Sequence, residues 1–321
     1  MEKCRGRMID INFWNNKTVL ITGYSGFKGY WLNLFLKKLG SNVYGISKKG
    51  LESEVFKAYS HILNHNNNYE IDISKYDKFE KLLHDINPEI LFHFAAQPLV
   101  ITSKYKPRTT LETNVIGTFN ILEAVKNFSS SIATVIATTD KVYKNPSHNN
   151  SESDPLGSFE LYGATKVACE NLINAYNLDK SSSNKFSVVR SGNVLGPGDG
   201  GDNRLLTDII LAIKQKKNLN LRNPYSTRPW QFILDSLAGY ILAAQFHHHN
   251  SYEIFNLGSK ELNNVTVFEL SEKLLKKFDS NIEIIIEKDN LLLEADILKI
   301  NSSKAEEIIF SDESFLLNFS S

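Results

Sequence analysis

Residues 17–32 read KTVLITGYSGFKGYWL. Residues 18–22 form a short, apolar, β-branched run, the mark of a buried strand. Gly23, Gly26 and Gly29 follow at once, and a helix pattern begins with Tyr30, Trp31 and Leu32. Strand, glycine turn and helix start together make a cradle for a phosphate. Glycine lets the backbone turn sharply and approach a ligand, and the free N–H groups of a helix's first turn point at an anion. The spacing is GxxGxxG. It makes Gly23, Ser25, Gly26, Phe27, Lys28 and Gly29 the candidates for holding a dinucleotide.

Outward from the cradle, strand and helix patterns alternate. Helices are expected over residues 30–39, 76–86, 113–126 and 160–176. Strands are expected over 42–47, 69–73, 89–94, 132–138 and 186–190. Such alternation with short loops argues for a parallel sheet covered by helices on both faces. After Arg190 the chain turns glycine- and proline-rich, GNVLGPGDGGDN. Residues 13–190 are therefore read as a dinucleotide-binding domain. Residues 230–246, apolar at helical spacing, lie in a segment, 223–257, expected to pack back on it. Residues 191–222 and 258–321 are left for a smaller α/β lobe over the strand C-termini, where open α/β sheets bind ligands. His247, His248 and His249 read as a polar loop. His61 and His65, four apart, lack a third ligand and read as a solvated helix face rather than a metal site.

Composition bounds the function. The chain has 321 residues, 42% hydrophobic and 22% charged, with net charge +0. Nothing suggests a nucleic-acid footprint or a basic membrane surface. No apolar run approaches the roughly 20 residues a membrane helix needs, and the basic start, MEKCRGRMID, has no apolar stretch behind it. Two cysteines, Cys4 and Cys169, fit a reducing compartment, so the expected location is cytoplasmic. Cys169 reads as a core residue.

Two clusters carry chemistry. Tyr162 and Lys166 stand four apart in LYGATKVACENL and share a helix face. A neighbouring ammonium favours a phenolate, which would make the tyrosine a base near neutral pH. The same spacing also arises by chance on exposed helices. Thr139, Asp140 and Lys141 close a strand, so a hydroxyl, an acid and an amine project from its C-terminal edge. Alone, that tripeptide is equally a surface turn. Its place between a glycine-rich strand–turn–helix and YxxxK gives it weight.

With GxxGFKGYWL, the Ala95-Ala96-Gln97 turn, TNV at residues 113–115 followed by Gly117-Thr118, Thr139-Asp140-Lys141 and Tyr162-x-x-x-Lys166, the chain resembles the extended short-chain dehydrogenases/reductases. Within them it is similar to the nucleotide-sugar 4,6-dehydratases, and in detail to the branch acting on CDP-glucose. FKGYWL, Lys141 in a place that is glutamate in the dTDP-glucose enzymes, RSGNVLGPGD at 190–199 and RNPYSTRPWQ at 222–231 carry the closer match.

The resemblance implies a Rossmann-type doubly wound parallel sheet, bound NAD and a lyase reaction. Tyr162, with Lys166, would take the C4 hydroxyl proton, and Thr139 would hydrogen-bond the same oxygen. Lys141 would remove the C5 proton, and Asp140 would protonate the departing C6 hydroxyl. Asp72, Ile73, Ala95, Ala96, Gln97 and Asn114 would join the cradle around the cofactor. Gln97, Asn193, Arg204, Leu221, Arg222 and Arg228 would bind the nucleotide sugar, with Arg228 first in line for its diphosphate. The second strand ends in Ser47-Lys48-Lys49 where an acid usually meets the ribose. Lys49 in that place also suits a 2′-phosphate, so NADP is an alternative. Gly200-Gly201 stands where the family carries an aromatic, which would widen the substrate pocket. A homodimer through the helices at 113–126 and 160–176 is implied. The competing readings are a 4-epimerase or NADPH-linked ketoreductase of the same fold, and a non-catalytic dinucleotide-binding protein.

Overall fold

Alternating strand and helix patterns fold in turn in the computed structural model, which describes residues 9–61, 67–201, 204–249, 251–259, 265–286 and 295–309. A one-turn helix α1 (Ile11–Trp14) precedes β1 (Thr18–Thr22) and α2 (Phe27–Lys38). β2 (Asn42–Ser47), α3 (Glu54–Tyr59), β3 (Asn68–Glu70), α4 (Tyr76–Ile86) and β4 (Ile90–His93) follow. α5 (Val100–Tyr105) and α6 (Pro107–Leu111) lead through a π turn, Glu112–Ile116, into α7 (Gly117–Lys126). Next come β5 (Ala133–Thr139), a 3-10 turn (Asp140–Val142), α8 (Leu161–Leu178) and β6 (Phe186–Ser191). The remainder is β7 (Asn193–Leu195), α9 (Leu205–Gln215), β8 (Leu219–Leu221), β9 (Trp230–Phe232), α10 (Ile233–His249), β10 (Ile254–Leu257), α11 (Val267–Lys277), β11 (Ile284–Ile286) and α12 (Ser303–Ile308).

Seven strands form one parallel sheet in the order β10-β6-β5-β4-β1-β2-β3. Period-two alternation splits its side chains between two cores. Val19, Ile21, Val135 and Val189 meet Leu32, Leu36, Leu237 and Ile241 of α2 and α10 on one face. Leu20, Leu91, Ile136 and Val188 meet Phe79, Leu83, Ile121 and Ile173 of α4, α7 and α8 on the other. Because the strands are parallel, Thr22, Ser47, His93, Thr139, Ser191 and Leu257 all end at one edge. In register Thr22 faces His93 and Thr139 faces Ser191. A separate small core of Ile209, Leu219, Leu221 and Leu275 holds α9 and α11 against the β8–β11 pair. Among the described residues no helix is long and apolar enough to cross a membrane.

The differences from the sequence expectations have local causes. The first helix starts at Phe27, not residue 30, because Gly26 serves as its N-cap and accepts from the Tyr30 N–H. The helix expected from 113 already begins at Pro107 and passes through the π turn. There the buried Asn114 side chain leaves the helix to bond the Gln97 backbone. The third strand stops at Glu70, and Asp72 then caps a turn through the Ser74 N–H. Residues 230–246 are not all helix. Trp230–Phe232 pairs with β7, and α10 starts at Ile233. His247, His248 and His249 form the last turn of α10 rather than a loop, anchored by His247 Nδ1 at 3.1 Å from Ser187 Oγ. β10, which no sequence pattern singled out, is the seventh strand. His61 lies in a turn rather than on a helix face, and His65 lies outside the described residues.

Candidate active site

The glycine turn has the shape a diphosphate needs. Gly23 has φ +73°, a left-handed value that favours glycine, and its N–H donates to Ile46 O at 2.8 Å. A Cβ on Gly29 would lie 2.2 Å from Gly23 O, so the helix packs on the turn with no room for a side chain. Ser25 N–H is held by Ser47 Oγ at 2.8 Å. Gly26 offers no side-chain cap, which leaves the first-turn N–H groups of α2 facing outward for an anion. This cradle, closed to any Cβ at Gly29 and open at its amides, fits a dinucleotide diphosphate.

The walls of the cradle use the predicted residues in several ways. Asp72 pairs with Lys48 at 2.9 Å. Burial opposes its charge, but Lys48 and Ser74 outweigh burial and hold the carboxyl below its ordinary value. Ser47 is engaged by Ser25, so the end of β2 presents Lys48 and Lys49 where an acid was sought. Ile73 packs against Gly117, where a Cβ would come within 2.5 Å of it. Ala95 N–H donates to Thr22 Oγ1 at 3.3 Å, and Ala96 follows it in the turn. The Gln97 side chain folds into its own loop, bonding Leu99 and Thr110. Asn114 clamps that loop, accepting from Gln97 N–H at 2.8 Å and donating to Thr165 Oγ1 at 2.9 Å.

At the ends of β5 and β6 the chemistry-bearing groups converge. Thr139 Oγ1 donates to Asp140 Oδ1 at 2.9 Å. Asp140 is buried, and its Oδ2 has no hydrogen-bond partner among the described residues. Burial, followed by the charges of Glu160 and Asp140, pushes the Tyr162 phenol well above its ordinary value, with Thr139 acting the other way. The expectation of a phenol lowered by Lys166 is thus not met within the chain itself. Burial dominates, and the Lys166 ammonium donates to Ala137 O at 3.0 Å. Burial pulls Lys166 down while Cys169 and Glu170 push the other way. Lys141 sits in the 3-10 turn and borders a small cavity with Ser158, Glu160 and Leu298.

Lys28 does not stay in the cradle. Its Nζ donates to Ser191 Oγ at 3.2 Å and lies 5.5 Å from the Tyr240 ring centroid. Burial, then the positive charge of Arg204, lowers its ammonium to about 7. Arg204 approaches Asp199 at 3.8 Å, and its charge reaches both Lys28 and Tyr162. Asn193 opens β7 opposite Trp230. The Leu221 side chain belongs to the small core, leaving its backbone as the part that can touch a ligand. Arg222 is half-buried just beyond β8. Arg228 is buried and donates to Thr227 O at 2.9 Å and Asp296 O at 3.3 Å. Gly200 does not widen the pocket: a Cβ there would meet Glu54 Cγ at 2.1 Å, so α3 occupies that space.

Sequence reasoning missed Ser191, Glu160, Glu170 and Tyr240. Glu170 alone carried a signal: it lies four residues beyond Lys166 and eight beyond Tyr162, on the same helix face.

The NAD dependent epimerase/dehydratase family matches residues 19–258. The chain is 35% identical to CDP-glucose 4,6-dehydratase of Salmonella typhimurium, over 93% of this chain and 86% of that protein. It is 28% identical to UDP-glucuronate 4-epimerase of Thermodesulfobacterium geofontis, over 80% of each. Among solved structures, dTDP-glucose 4,6-dehydratase of Bacillus anthracis in complex with NAD superposes with TM-score 0.76 at 21% identity, covering 90% of this chain and 89% of that one. With its cradle, its Tyr162–Lys166 pair and its Thr139-Asp140-Lys141 edge, the chain belongs to the NAD-dependent epimerase/dehydratase family.

Proposed function

We propose that this protein is a nucleotide-sugar 4,6-dehydratase, with CDP-glucose as its substrate. The observation that carries the reading is Asp140, a buried acid that accepts from Thr139, stands beside Lys141 and keeps one oxygen without a hydrogen-bond partner among the described residues. A 4-epimerase or a ketoreductase needs Tyr162 and Lys166 but has no use for an acid and an amine at these places. The 35% identity to a CDP-glucose 4,6-dehydratase supports the choice of base and sugar.

Bound NAD would supply a hydride acceptor for C4 and a hydride donor for C6. The rest falls to this chain's residues. Tyr162 receives the C4 hydroxyl proton, and Thr139 hydrogen-bonds that oxygen. The C4 ketone acidifies the C5 proton, which passes to the Lys141 amine. Asp140 gives a proton to the C6 hydroxyl, and the C6–O bond breaks with loss of water. The C5 proton then returns to carbon, leaving a 4-keto-6-deoxy sugar. Arg228, Asn193, Arg204 and the Leu221-Arg222 backbone hold the nucleotide diphosphate. NAD is the cofactor in this reading, since Lys48 is engaged by Asp72. Lys49 beside it keeps NADP as the variant to test.

The functional division into a cofactor domain, 13–190 with 223–257, and a nucleotide-sugar lobe, 191–222 with 258–321, is part of the same proposal. So is a homodimer, supported by Leu111, Ile116 and Phe119, which stand exposed along α6, the π turn and α7. A cytoplasmic location fits the sparse cysteines.

Purified protein incubated with CDP-glucose, without and with added NAD or NADP, tests the reading. A 4-keto-6-deoxy product without net cofactor reduction is expected. An epimer, net NADPH oxidation, or inertness towards a panel of nucleotide sugars would each overturn it.

A further inference from the structure

Asp140 and Lys141 stand on a 3-10 turn, Asp140–Val142, only three residues long. A piece that short has poor hydrogen-bond geometry and takes its shape from what surrounds it. In the proposed reaction the turn must hold an acid against C6 and a base against C5 of one sugar, and an ångström of misplacement costs about a hundredfold. Its exit is fastened to the loop that follows: Gly157 N–H donates to Val142 O at 2.8 Å, and Lys144 N–H to Pro155 O at 2.9 Å. Those bonds do not set the turn against α8, where Tyr162 and Lys166 stand. That spacing is tight, since a Cβ on Gly163 of α8 would come within 2.8 Å of Lys141 O.

A ring of buried side chains sets it. Before the turn, Thr138 Oγ1 donates to Glu170 Oε1 at 2.7 Å. After the turn, Tyr143 Oη accepts from Arg190 Nη1 at 2.8 Å. Glu170 and Arg190 close on each other through three hydrogen bonds. The chain from Thr138 to Tyr143 and the bonds Tyr143–Arg190–Glu170–Thr138 thus make one closed loop, with Asp140 and Lys141 on it. Glu170 lies on α8, four residues beyond Lys166, so the loop is anchored on the helix that carries the oxidation pair.

Tyr143 is the link between that anchor and the turn's exit. It is 1% exposed, and its hydroxyl is used in both directions. It donates to Asn256 Oδ1 at 2.6 Å while accepting from Arg190. Asn256 is fully buried, and its Nδ2 donates to Asn150 O at 2.9 Å and Asn301 O at 3.1 Å, which turns Oδ1 to the phenol. Burial pushes the phenol up to about 12, with Arg190 and Asn256 acting the other way, so it stays a neutral donor at ordinary pH.

We propose that Tyr143 is a positioning residue for the elimination step: held between Arg190 and Asn256, it fixes where the Asp140–Lys141 turn stands relative to Tyr162 and Lys166. Removing its hydroxyl opens the loop at the turn's exit. The Arg190–Glu170 pair and the Thr138 bond remain, so Thr139, Tyr162 and Lys166 keep their places. C4 oxidation is then spared, while C5 deprotonation and C6–O cleavage are not. A general loss of stability would slow both steps alike.

The inference rests on the dehydratase reading, and one experiment separates the two. Wild type and Tyr143→Phe, each loaded with NAD, are mixed with CDP-glucose in single-turnover time courses. Reduced nicotinamide is followed by its near-ultraviolet absorbance, and the 4-keto-6-deoxy product by rapid quench. Phenylalanine keeps the ring, whose centroid lies 5.0 Å from the Arg190 guanidinium carbon. Tyr143→Phe should form reduced nicotinamide at close to the wild-type rate, accumulate it, and form product on the order of a hundredfold more slowly. No product from the wild type sinks the dehydratase reading and the inference with it. With wild-type product present, equal slowing of both steps, slowing of oxidation alone, or no slowing of either overturns the role of Tyr143 and leaves the reading standing. If Tyr143→Phe does not fold, Asn256→Ala takes its place, since it removes the acceptor of the Tyr143 proton and leaves the bond from Arg190. The same accumulation is then expected, and the same three outcomes overturn the role.

Discussion

Arg190 and Glu170 face each other inside the protein: the Arg190 Nε donates to both Glu170 oxygens at 3.0 Å, and its second nitrogen reaches Oε2 at 2.5 Å. Glu170 also accepts from Thr138 Oγ1 at 2.7 Å, and Arg190 donates to Tyr143 Oη at 2.8 Å. The pair ties α8, which carries Tyr162 and Lys166, to the strands that carry Thr139 and Ser191. Removing one partner leaves an uncompensated buried charge. Glu170→Met or Arg190→Met alone should cost about 3–5 kcal/mol, and the double variant less than the sum. Denaturant midpoints of the three variants measure this, and strict additivity would show that the pair does not act as a unit.

His93 gives the fold a pH dependence of known sign. Its ring lies between Thr22 Oγ1 at 2.7 Å and Thr118 Oγ1 at 3.0 Å. Burial, with the charge of Lys166 second, lowers it from 6.5 to about 3. Between those values the unfolded chain binds a proton that the folded one does not. Stability from this group is therefore full above 6.5 and falls as pH drops towards 3, by about 1.4 kcal/mol per unit at most. His93→Gln should flatten that part of the wild-type stability curve. Parallel curves for the two proteins would count against it.

The cradle and the catalytic pair were legible because their signals are local. Gly23 to Gly29 is one turn, and Tyr162 and Lys166 are one helix face. What stayed hidden is set by contacts far apart in sequence. Lys28 reads as part of the glycine turn, yet its ammonium ends on Ser191, 163 residues away. The π turn at Glu112–Ile116 follows from Asn114 reaching back to Gln97, which helix periodicity cannot show. The Tyr162 phenol depends on how deeply the packed chain buries it, and residue spacing carries no burial term. Histidines 247–249 look polar in sequence, but α10 continues through them because His247 finds Ser187 on the neighbouring strand.

Lys141 should divide the reaction in two. In the proposed mechanism it takes the C5 proton and has no part in C4 oxidation. Lys141→Ala should slow elimination by roughly 10²–10⁴-fold, the range for a general base, while C4 oxidation continues in part. Reduced nicotinamide would then accumulate, visible in its near-ultraviolet absorbance during stopped-flow mixing with CDP-glucose. Equal loss of both steps would remove Lys141 from its assigned role.

The glycines of the cradle should fail in a fixed order. A Cβ on Gly29 would sit 2.2 Å from Gly23 O and 3.0 Å from Tyr24 Cα, all backbone that cannot swing aside. A Cβ on Gly26 would sit 3.1 Å from the same oxygen, and Gly26 has φ −72°, which any residue adopts. Gly29→Ala must push α2 off the turn, at about 1–3 kcal/mol for forced overpacking. That displaces the first-turn amides from where a diphosphate would lie. Gly26→Ala needs a shift of only a few tenths of an ångström. Calorimetric titration with NAD should therefore show a large loss of affinity in Gly29→Ala and a smaller one in Gly26→Ala, with unfolding curves separating lost binding from lost fold. The opposite order would mean that the diphosphate is held somewhere other than this turn.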